Sequence, residues 1–407
     1  LRESFCEESK DIFHGVLDRS LRPSDKLTWQ CLNLSYDTNE VILKPIGDNL
    51  YDGLSGIAIY LSAYARVFES EEAQESSLAI ISDVFNRTIV NKNIKRIGIC
   101  TGLGSIIYSL CCISENIGDS QLLTKATDLS RLLTDEMIHD DLDLDIVSGC
   151  SGTILALLKL YRMNNDNETL LKAVTCGNKL LNSKRYTYNS HTSWIGNNFK
   201  QSQIVVPLTG FSHGAAGYAY ALDALSEATS YQEFKYAAEK TLLYENQFYI
   251  PENNNWASIK SNGQLQTNGK KLSQWCYGST GIGLGRIGQI KYGASNKRHI
   301  QMQIENAKDG ILGSKIHWAD DSLCCGVSSH IEFLSEASKV NDDENLGQHA
   351  EKKLLHLINT RRHCGAYNLG DFKGYDIPMG MFRGVTGIGY TILRRLEKSL
   401  PNVLIFE

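Results

Sequence analysis

Seven stretches of this chain are apolar nearly all round, and seven others carry apolar residues on one side only. The first set occupies 54–68, 103–115, 151–162, 215–228, 280–291, 327–338 and 385–396. The second lies near 2–20 and at 71–91, 120–138, 168–182, 231–246, 296–312 and 343–359. Helices apolar on every face are buried, and helices with one apolar stripe lie outside them. The alternation therefore predicts seven inner and seven outer helices.

A short motif opens each inner segment: Gly-x-x-Gly, then a run of Ile, Leu, Ala and Tyr. The copies are Gly53-Leu54-Ser55-Gly56, Gly149-Cys150-Ser151-Gly152, Gly214-Ala215-Ala216-Gly217, Gly278-Ser279-Thr280-Gly281 and Gly384-Val385-Thr386-Gly387. Two more are degenerate, read as Thr101-Gly102-Leu103-Gly104 and Gly326-Val327-Ser328-Ser329. A helical repeat of about 48 residues builds an open solenoid or a closed ring. The C-terminus offers no atypical capping repeat, so the expectation is an all-α fold, an α/α toroid, as one domain over 1–407. Three intervals break the rhythm and predict small irregular or strand-like insertions. Interval 182–212 holds Arg185-Tyr186-Thr187-Tyr188 and Gln203-Ile204-Val205-Val206; 246–274 is rich in Asn, Gly, Lys and Gln; 361–381 carries Gly and aromatic residues. Insertions on one face of a repeat array often form its binding surface.

Composition narrows the picture. The six prolines all fall outside the expected helices, as they should when one in a helix interior costs about 3 kcal/mol. A net charge of −5 and a pI near 6.1 give no electrostatic case for nucleic acid or an anionic membrane. No apolar run reaches the ~18 residues of a membrane span. Eleven cysteines without small-domain spacing argue against a disulfide framework and for a reducing, cytoplasmic setting. No signal peptide precedes the first helix-like segment, and the chain starts at Leu1 rather than an initiator Met, from which it is expected to be a piece of a longer polypeptide.

The residues just before the glycine turns carry the chemistry. One position before each turn stand Asp52, Cys100, Ser148, His213, Tyr277, Cys325 and Arg383; one earlier stand Tyr51, Ile99, Val147, Ser212, Cys276, Cys324 and Phe382. In a closed ring, equivalent positions face one mouth. A packed core would be apolar there, whereas these residues are mostly polar or reactive. Cys276, Cys324 and Cys325 are candidate metal ligands, because three Cys with an open fourth position describe a catalytic zinc site. Their spacing is not that of a zinc finger, so unrelated thiols remain the alternative. Ser109-Leu110-Cys111-Cys112 repeats the letters of Ser322-Leu323-Cys324-Cys325, but it lies mid-helix and reads as buried packing.

Together these motifs resemble the lanthionine cyclase (LanC-like) family, and more closely the C-terminal cyclase domain of a class II lanthipeptide synthetase (LanM type). The carriers are Leu50-Tyr51-Asp52-Gly53-Leu54-Ser55-Gly56-Ile57-Ala58, Gly210-Phe211-Ser212-His213-Gly214, Gln274-Trp275-Cys276-Tyr277-Gly278, Leu323-Cys324-Cys325-Gly326 and Thr386-Gly387-Ile388-Gly389-Tyr390. The resemblance covers essentially the whole chain. It implies an α/α toroid and one zinc ion per chain. It also implies an N-terminal dehydratase domain on the same polypeptide, outside this chain. Cys276 and Cys324 match the family's first two zinc ligands. The third is normally His and is Cys325 here, a departure similar to the three-cysteine subgroup that includes the prochlorosin synthetases. The family's acid–base histidine falls on His213. Its aspartate falls on Asp145, which would orient His213, or else cap the helix beginning near Gly149. Some members carry an arginine four residues before the first zinc cysteine; Leu272 stands there.

The implied activity adds peptide cysteine thiolates to dehydroalanine or dehydrobutyrine. That closes lanthionine or methyllanthionine rings in a dehydrated precursor peptide, leader plus core. Tyr277, Trp275, Asp52 and Arg383 are candidate substrate contacts, and Arg383 is a candidate to stabilise an enolate. The rivals are a relative that adds glutathione to dehydrated residues and a metal-free toroid that binds peptides. An α/α-barrel glycosidase needs two facing carboxylates, and the ring offers only Asp52, with Asp145 off register.

Overall fold

The computed structural model describes residues 1–35, 40–91, 94–196, 206–259, 265–266, 273–293, 296–313, 320–370 and 377–407. In chain order the helices are α1 (Arg2–Asp18), α2 (Leu54–Phe68), α3 (Glu71–Asn91), α4 (Leu103–Ile117), α5 (Gln121–Leu132), α6 (Asp135–His139), α7 (Cys150–Asn164) and α8 (Asn167–Asn182), then α9 (Ala215–Thr229), α10 (Gln232–Asn246), α11 (Ser279–Lys291), α12 (Lys297–Leu312), α13 (Val327–Asn341), α14 (Glu344–Cys364) and α15 (Val385–Leu396). The inner set is α2, α4, α7, α9, α11, α13 and α15. Each packs against the next, and α15 packs against α2, so the ring is closed. Helices α3, α5, α8, α10, α12 and α14 lie outside their inner partners, and α1 completes the outer layer against α15. This is the expected toroid of seven inner and seven outer helices.

Local chemistry explains the repeat. After α2, α4, α7, α9 and α13 a single left-handed residue (Glu69, Gly118, Asn165, Ser230, Asp342) reverses the chain. Such a residue ends a helix and frees the next to run back antiparallel. Asp166, Asn296 and Asp343 then accept hydrogen bonds from amides in the first turn of the outer helix. One outer segment differs from expectation. The stretch 120–138 is split into α5 and α6, because Thr134 accepts a bond from the Met137 amide and starts a new helix. The N- and C-terminal ends are joined at buried Glu8, which takes Tyr367 Oη at 2.5 Å, Arg362 Nε at 3.2 Å and Arg361 Nε at 3.4 Å.

The strands are short antiparallel pairs: β1 (Gln30–Ser35) with β2 (Glu40–Pro45), β3 (Tyr186–Tyr188) with β4 (His191–Ser193), β5 (Tyr249–Ile250) with β6 (Asn255–Trp256), and β7 (Ser258–Ile259) with β8 (Leu265–Gln266). Pairs β3–β4 and β5–β8 occupy the first two expected insertions. Most of the piece 203–206 lies outside the described residues. Helix α14 runs to Cys364 and shortens the third insertion. The β1–β2 hairpin was not expected.

At one end of the ring the seven turns are tied into a belt. Tyr51 N donates to Cys100 O (3.1 Å), Cys100 N to Val147 O (3.1 Å), Ile146 N to Ser212 O (3.2 Å) and Ser212 Oγ to Cys276 O (3.3 Å). Trp275 N donates to Cys324 O (3.0 Å), Cys324 N to Phe382 O (2.8 Å) and Phe382 N back to Tyr51 O (2.8 Å). The belt corrects the second motif by one residue. Gly102, not Thr101, stands at the helix N-cap like Gly53 and Gly149. Cys100 is therefore a fully buried belt residue, and Thr101 takes the mouth position.

The ring is plugged, not open. Tyr220 Oη donates to Ile405 O (2.7 Å), Tyr390 Oη to Pro401 O (2.9 Å) and Trp275 Nε1 to Leu404 O (2.8 Å). Tyr220 and Tyr390 each stand six residues into their helices, so the C-terminal tail lies roughly 9 Å below the mouth at 1.5 Å per residue. It forms a floor.

The motif's second glycine has a steric cause. A Cβ at Gly281 would lie 1.8 Å from Trp275 O, so the carbonyl that leads into the turn rests directly on the helix. Replacement Gly281→Ala is expected to destabilise the chain by more than ~2 kcal/mol through this clash. Gly15→Ala on α1, where an added Cβ would meet only the flexible Arg19 guanidinium at an ordinary contact distance of 3.5 Å, should instead stabilise it by roughly 0.5–1 kcal/mol. Denaturant unfolding of both variants checks the contrast.

Candidate metal centre

Two adjacent turns bring the three cysteines together. Cys276 precedes α11, and Cys324-Cys325 precedes α13. Gly278 caps α11 with φ +92°, a left-handed value that favours glycine and turns the chain just after Tyr277. The second turn is shaped by Asp320 Oδ1, which accepts from Ser322 N (2.9 Å) and Ser322 Oγ (2.6 Å). Ser322 Oγ in turn accepts from Cys325 N at 3.3 Å.

The three Sγ atoms lie within 4.8 Å of one another. Sulfurs at ~2.3 Å from a tetrahedral zinc stand roughly 3.8 Å apart, so the set fits such an ion with a fourth position left over. The thiols carry no disulfide. Cys276 and Cys324 are buried and Cys325 is partly open. Hydrogen bonds from Cys276 and Cys324, with Arg383 nearby, hold the Cys325 thiol well below its ordinary range. Cys324 is pushed up by the bonds it gives to Cys276 and Cys325 and by burial. In Cys276 a bond from Cys324 pulls the other way, but its bond to Cys325 and burial win, and it too is raised. The shared hydrogen bonds thus favour ionisation at Cys325 over Cys276 and Cys324. Tyr51 was not singled out from the sequence. Its Oη donates to Cys324 Sγ at 3.0 Å, and burial beside the thiols pushes its own pKa up, so the hydroxyl stays protonated.

His213 lies on the neighbouring turn. Its Nδ1 is 2.6 Å from Asp145 Oδ2, while Asp145 Oδ1 accepts from Ser148 N at 2.8 Å. Asp145 is 1% exposed and faces His213; the alternative, a cap on the helix beginning near Gly149, is not what it makes, because that helix has no side-chain cap bond and Asp145 Oδ1 instead holds Ser148 N in the preceding turn. Tyr277 stands beside His213 with ring centroids 6.4 Å apart. Asp52 and Arg383 are exposed at the same rim. Trp275, expected as a liner, is fully buried and aims at the tail. Cys111 and Cys112 are buried mid-helix. Leu272 lies outside the described residues.

A second-layer pair also escaped the sequence. Glu245 and Arg286 are both 0% exposed and ion-paired. Glu245 Oε1 accepts from Gly210 N at 3.0 Å, at the start of the His213 turn, and Arg286 belongs to the helix that follows Cys276.

Residues 44–406 match the family described as "Lanthionine synthetase C-like protein". The chain belongs to that family. Among curated proteins it is similar to the lacticin 481/lactococcin biosynthesis protein LcnDR2 of Lactococcus lactis subsp. lactis, at 20% identity over 395 residues. That alignment takes in 92% of this chain but 38% of the relative, so the chain spans well under half of that protein's length. Among solved structures it is similar to nisin cyclase (TM-score 0.67, 17% identity, 86% of this chain and 89% of that one). A sugar epimerase from a ruminal bacterium shares the ring as well (TM-score 0.50, 10% identity, 98% and 100%). At these identities the structural likenesses speak to fold. No described helix is long and apolar enough to cross a membrane.

The uneven ionisation of the cluster is testable. An ordinary thiol of pKa ~8.5 is about 0.3% ionised at pH 6. Cys325, with its pKa lowered by the neighbouring thiols and Arg383, retains a larger thiolate fraction as pH falls to 6. After treatment with a chelator, iodoacetamide at pH 6 should modify Cys325 well ahead of Cys276 and Cys324, read by peptide mass mapping. Equal, slow modification of all three would contradict the assignment.

Proposed function

We propose that this chain is the zinc-dependent cyclase region of a class II lanthipeptide synthetase. It adds cysteine thiols of a dehydrated precursor peptide to dehydroalanine or dehydrobutyrine and so forms lanthionine or methyllanthionine rings. The observation that carries this reading is the convergence of three thiols on one wall of the mouth, beside a histidine held by a buried carboxylate. Family membership supports it. The lacticin-associated relative, much longer than this chain, supports a larger synthetase with a dehydratase region in the same polypeptide. The reading places the enzyme in the cytoplasm, where its thiols stay reduced.

Cys276, Cys324 and Cys325 would hold the zinc, one ion per chain. Bound there, zinc supplies the Lewis acidity that keeps an incoming thiol ionised at neutral pH. A free thiol is about 3% ionised at pH 7, so full ionisation is worth roughly 30-fold, or ~2 kcal/mol. That is a small part of an enzyme's acceleration, and positioning must supply much of the remainder. The belt does this by presenting His213 next to the thiol wall. His213, oriented through Nδ1 by Asp145, takes up the thiol proton. The sulfur bonds to the β-carbon, and His213 returns a proton to the α-carbon of the enolate.

Metal analysis of the purified chain under reducing conditions should find about one zinc per chain, lost in Cys324→Ala together with cyclisation of a peptide carrying one dehydroalanine and one cysteine. Absence of zinc would remove the mechanism and favour a metal-free peptide-binding ring.

The third thiolate makes a separate prediction. Exchanging a neutral imidazole for Cys325 takes the ion and its ligands from neutral to −1, which leaves a substrate thiolate more electron-rich. Cys325→His should keep zinc but slow turnover. Equal or faster turnover with zinc retained would count against this role for the third sulfur.

A further inference from the structure

We propose that Arg383 is a catalytic residue of the cyclisation proposed above, on which this inference rests. Its guanidinium receives the carbonyl oxygen of the dehydroamino acid as that oxygen takes on negative charge.

The belt sets its place. Cys324 N bonds Phe382 O and Phe382 N bonds Tyr51 O, both at 2.8 Å. Tyr51 and Phe382 also stack, with centroids 5.0 Å apart. The next residues, Cys325 and Arg383, therefore stand side by side at the same level of the rim. Around the ring the order is His213, Tyr277, Cys325, Arg383. The thiol wall is flanked by a proton carrier on one side and a cation on the other.

Arg383 is also uncommitted. Two other arginines near the ring, Arg286 and Arg394, are buried and saturated. Arg286 bonds Glu245, Gln289 and Gln303; Arg394 bonds Glu332, Glu336 and Leu400 O. Arg383 is exposed and makes no hydrogen bond or carboxylate ion pair among the described residues. Asp320 is the carboxylate whose field reaches it, but no ion pair forms, and Asp320 Oδ1 accepts from Ser322 N and Oγ. Among the seven described mouth positions (Asp52, Thr101, Ser148, His213, Tyr277, Cys325, Arg383) it is the one permanent cation.

The reaction needs a cation there. The thiol proton passes to His213 and the S–Cβ bond forms. The Cα=Cβ electron pair moves toward Cα and the carbonyl oxygen, and a proton then returns to Cα. Nothing is oxidised or reduced. The oxygen carries the charge between the two proton transfers, beside sulfur that is itself negative. A fixed guanidinium at that oxygen acts on the transition state far more than on the neutral substrate.

The test compares the wild-type 407-residue chain with Arg383→Gln and Arg383→Lys. Four quantities are read: zinc content, unfolding midpoint, affinity for a dehydroalanine peptide whose cysteine is replaced by serine, and steady-state cyclisation of the cysteine peptide. The expected result is a fall in kcat of about 30-fold or more for Arg383→Gln, in line with loss of one oxyanion donor. Zinc content, midpoint and serine-peptide affinity stay within about twofold, and Arg383→Lys recovers part of kcat. A kcat within about threefold of wild type overturns the inference. So does a raised KM with kcat kept, the mark of an arginine that anchors a ground-state carboxylate, such as one of glutathione. Loss of zinc or of folding in both variants overturns it as well, by making the residue structural. A wild-type chain that cyclises nothing overturns the proposed function and this inference together, whereas an active wild type with an unimpaired Arg383→Gln overturns this inference alone.

Discussion

The belt of hydrogen bonds around the mouth is the constraint on which the remaining architecture rests. Seven turns meet at one end of the ring with no sheet to pair with. Their peptide groups are largely buried, and buried amides must find acceptors. Each turn solves this by bonding to the next, and Phe382 closes the circle on Tyr51. Cys276 and Cys324 are distant in sequence yet adjacent around the belt, linked through Trp275 N and Cys324 O. Any residue at this position is delivered to the axis. The residue after it is offset outward: in every turn except the third, the mouth residue is more exposed than its belt neighbour. The ring thus presents one inner and one outer set of side chains at fixed height, over a floor made by the tail.

The two sets divide the electrostatic work. Three ionised thiols could not be buried together without compensation. The structure meets this by sharing protons among them, by the hydroxyl of Tyr51 on Cys324, and by Arg383 near Cys325. On the adjacent turn the problem is reversed. Asp145 is buried, and both its oxygens are engaged, one by His213 and one by the Ser148 amide. A buried carboxylate with each oxygen engaged is a firm anchor for an imidazole. Glu245 does the same one layer out, holding the Gly210 amide against the Arg286 helix.

Most of the fold was legible because its period is long and regular. All-round apolar runs and one-sided runs alternate, and fourteen of the fifteen helices of the described chain follow from that. The short helix α6 does not, because Thr134 is one capping residue inside an otherwise continuous pattern. The mouth was legible for six turns. In the second, Gly104 mimics a shifted copy of the motif, and only the N-cap at Gly102 sets the register. Tyr51 was missed and Trp275 misread for a shared reason. Each acts through a contact made across the closed ring, Tyr51 to Cys324 and Trp275 to Leu404 O, and periodicity carries no information about such pairs. Asp145 reaches His213 because the 141–149 loop wraps against Ser212. Its off-register place in sequence concealed that approach.

The ring by itself does not select a chemistry. The same architecture is shared with a sugar epimerase, and a fold hosts whatever its sites allow. What distinguishes this chain is the set of side chains at the belt and mouth. Sulfur stands at both levels of the sixth turn and at the belt level of the fifth, where Cys276, Cys324 and Cys325 converge. Carboxylates facing one another, which glycoside cleavage requires, do not recur at the rim; Asp52 is exposed on one turn and Asp145 is consumed in holding His213. A wall of three thiols is compatible with a soft metal such as zinc rather than magnesium or calcium, and in the proposed reaction the histidine held beside it would serve proton transfer to and from a thiol adduct. The argument for function therefore runs through a handful of positions. The helices behind them fix where those positions stand and leave the reaction to the residues placed there.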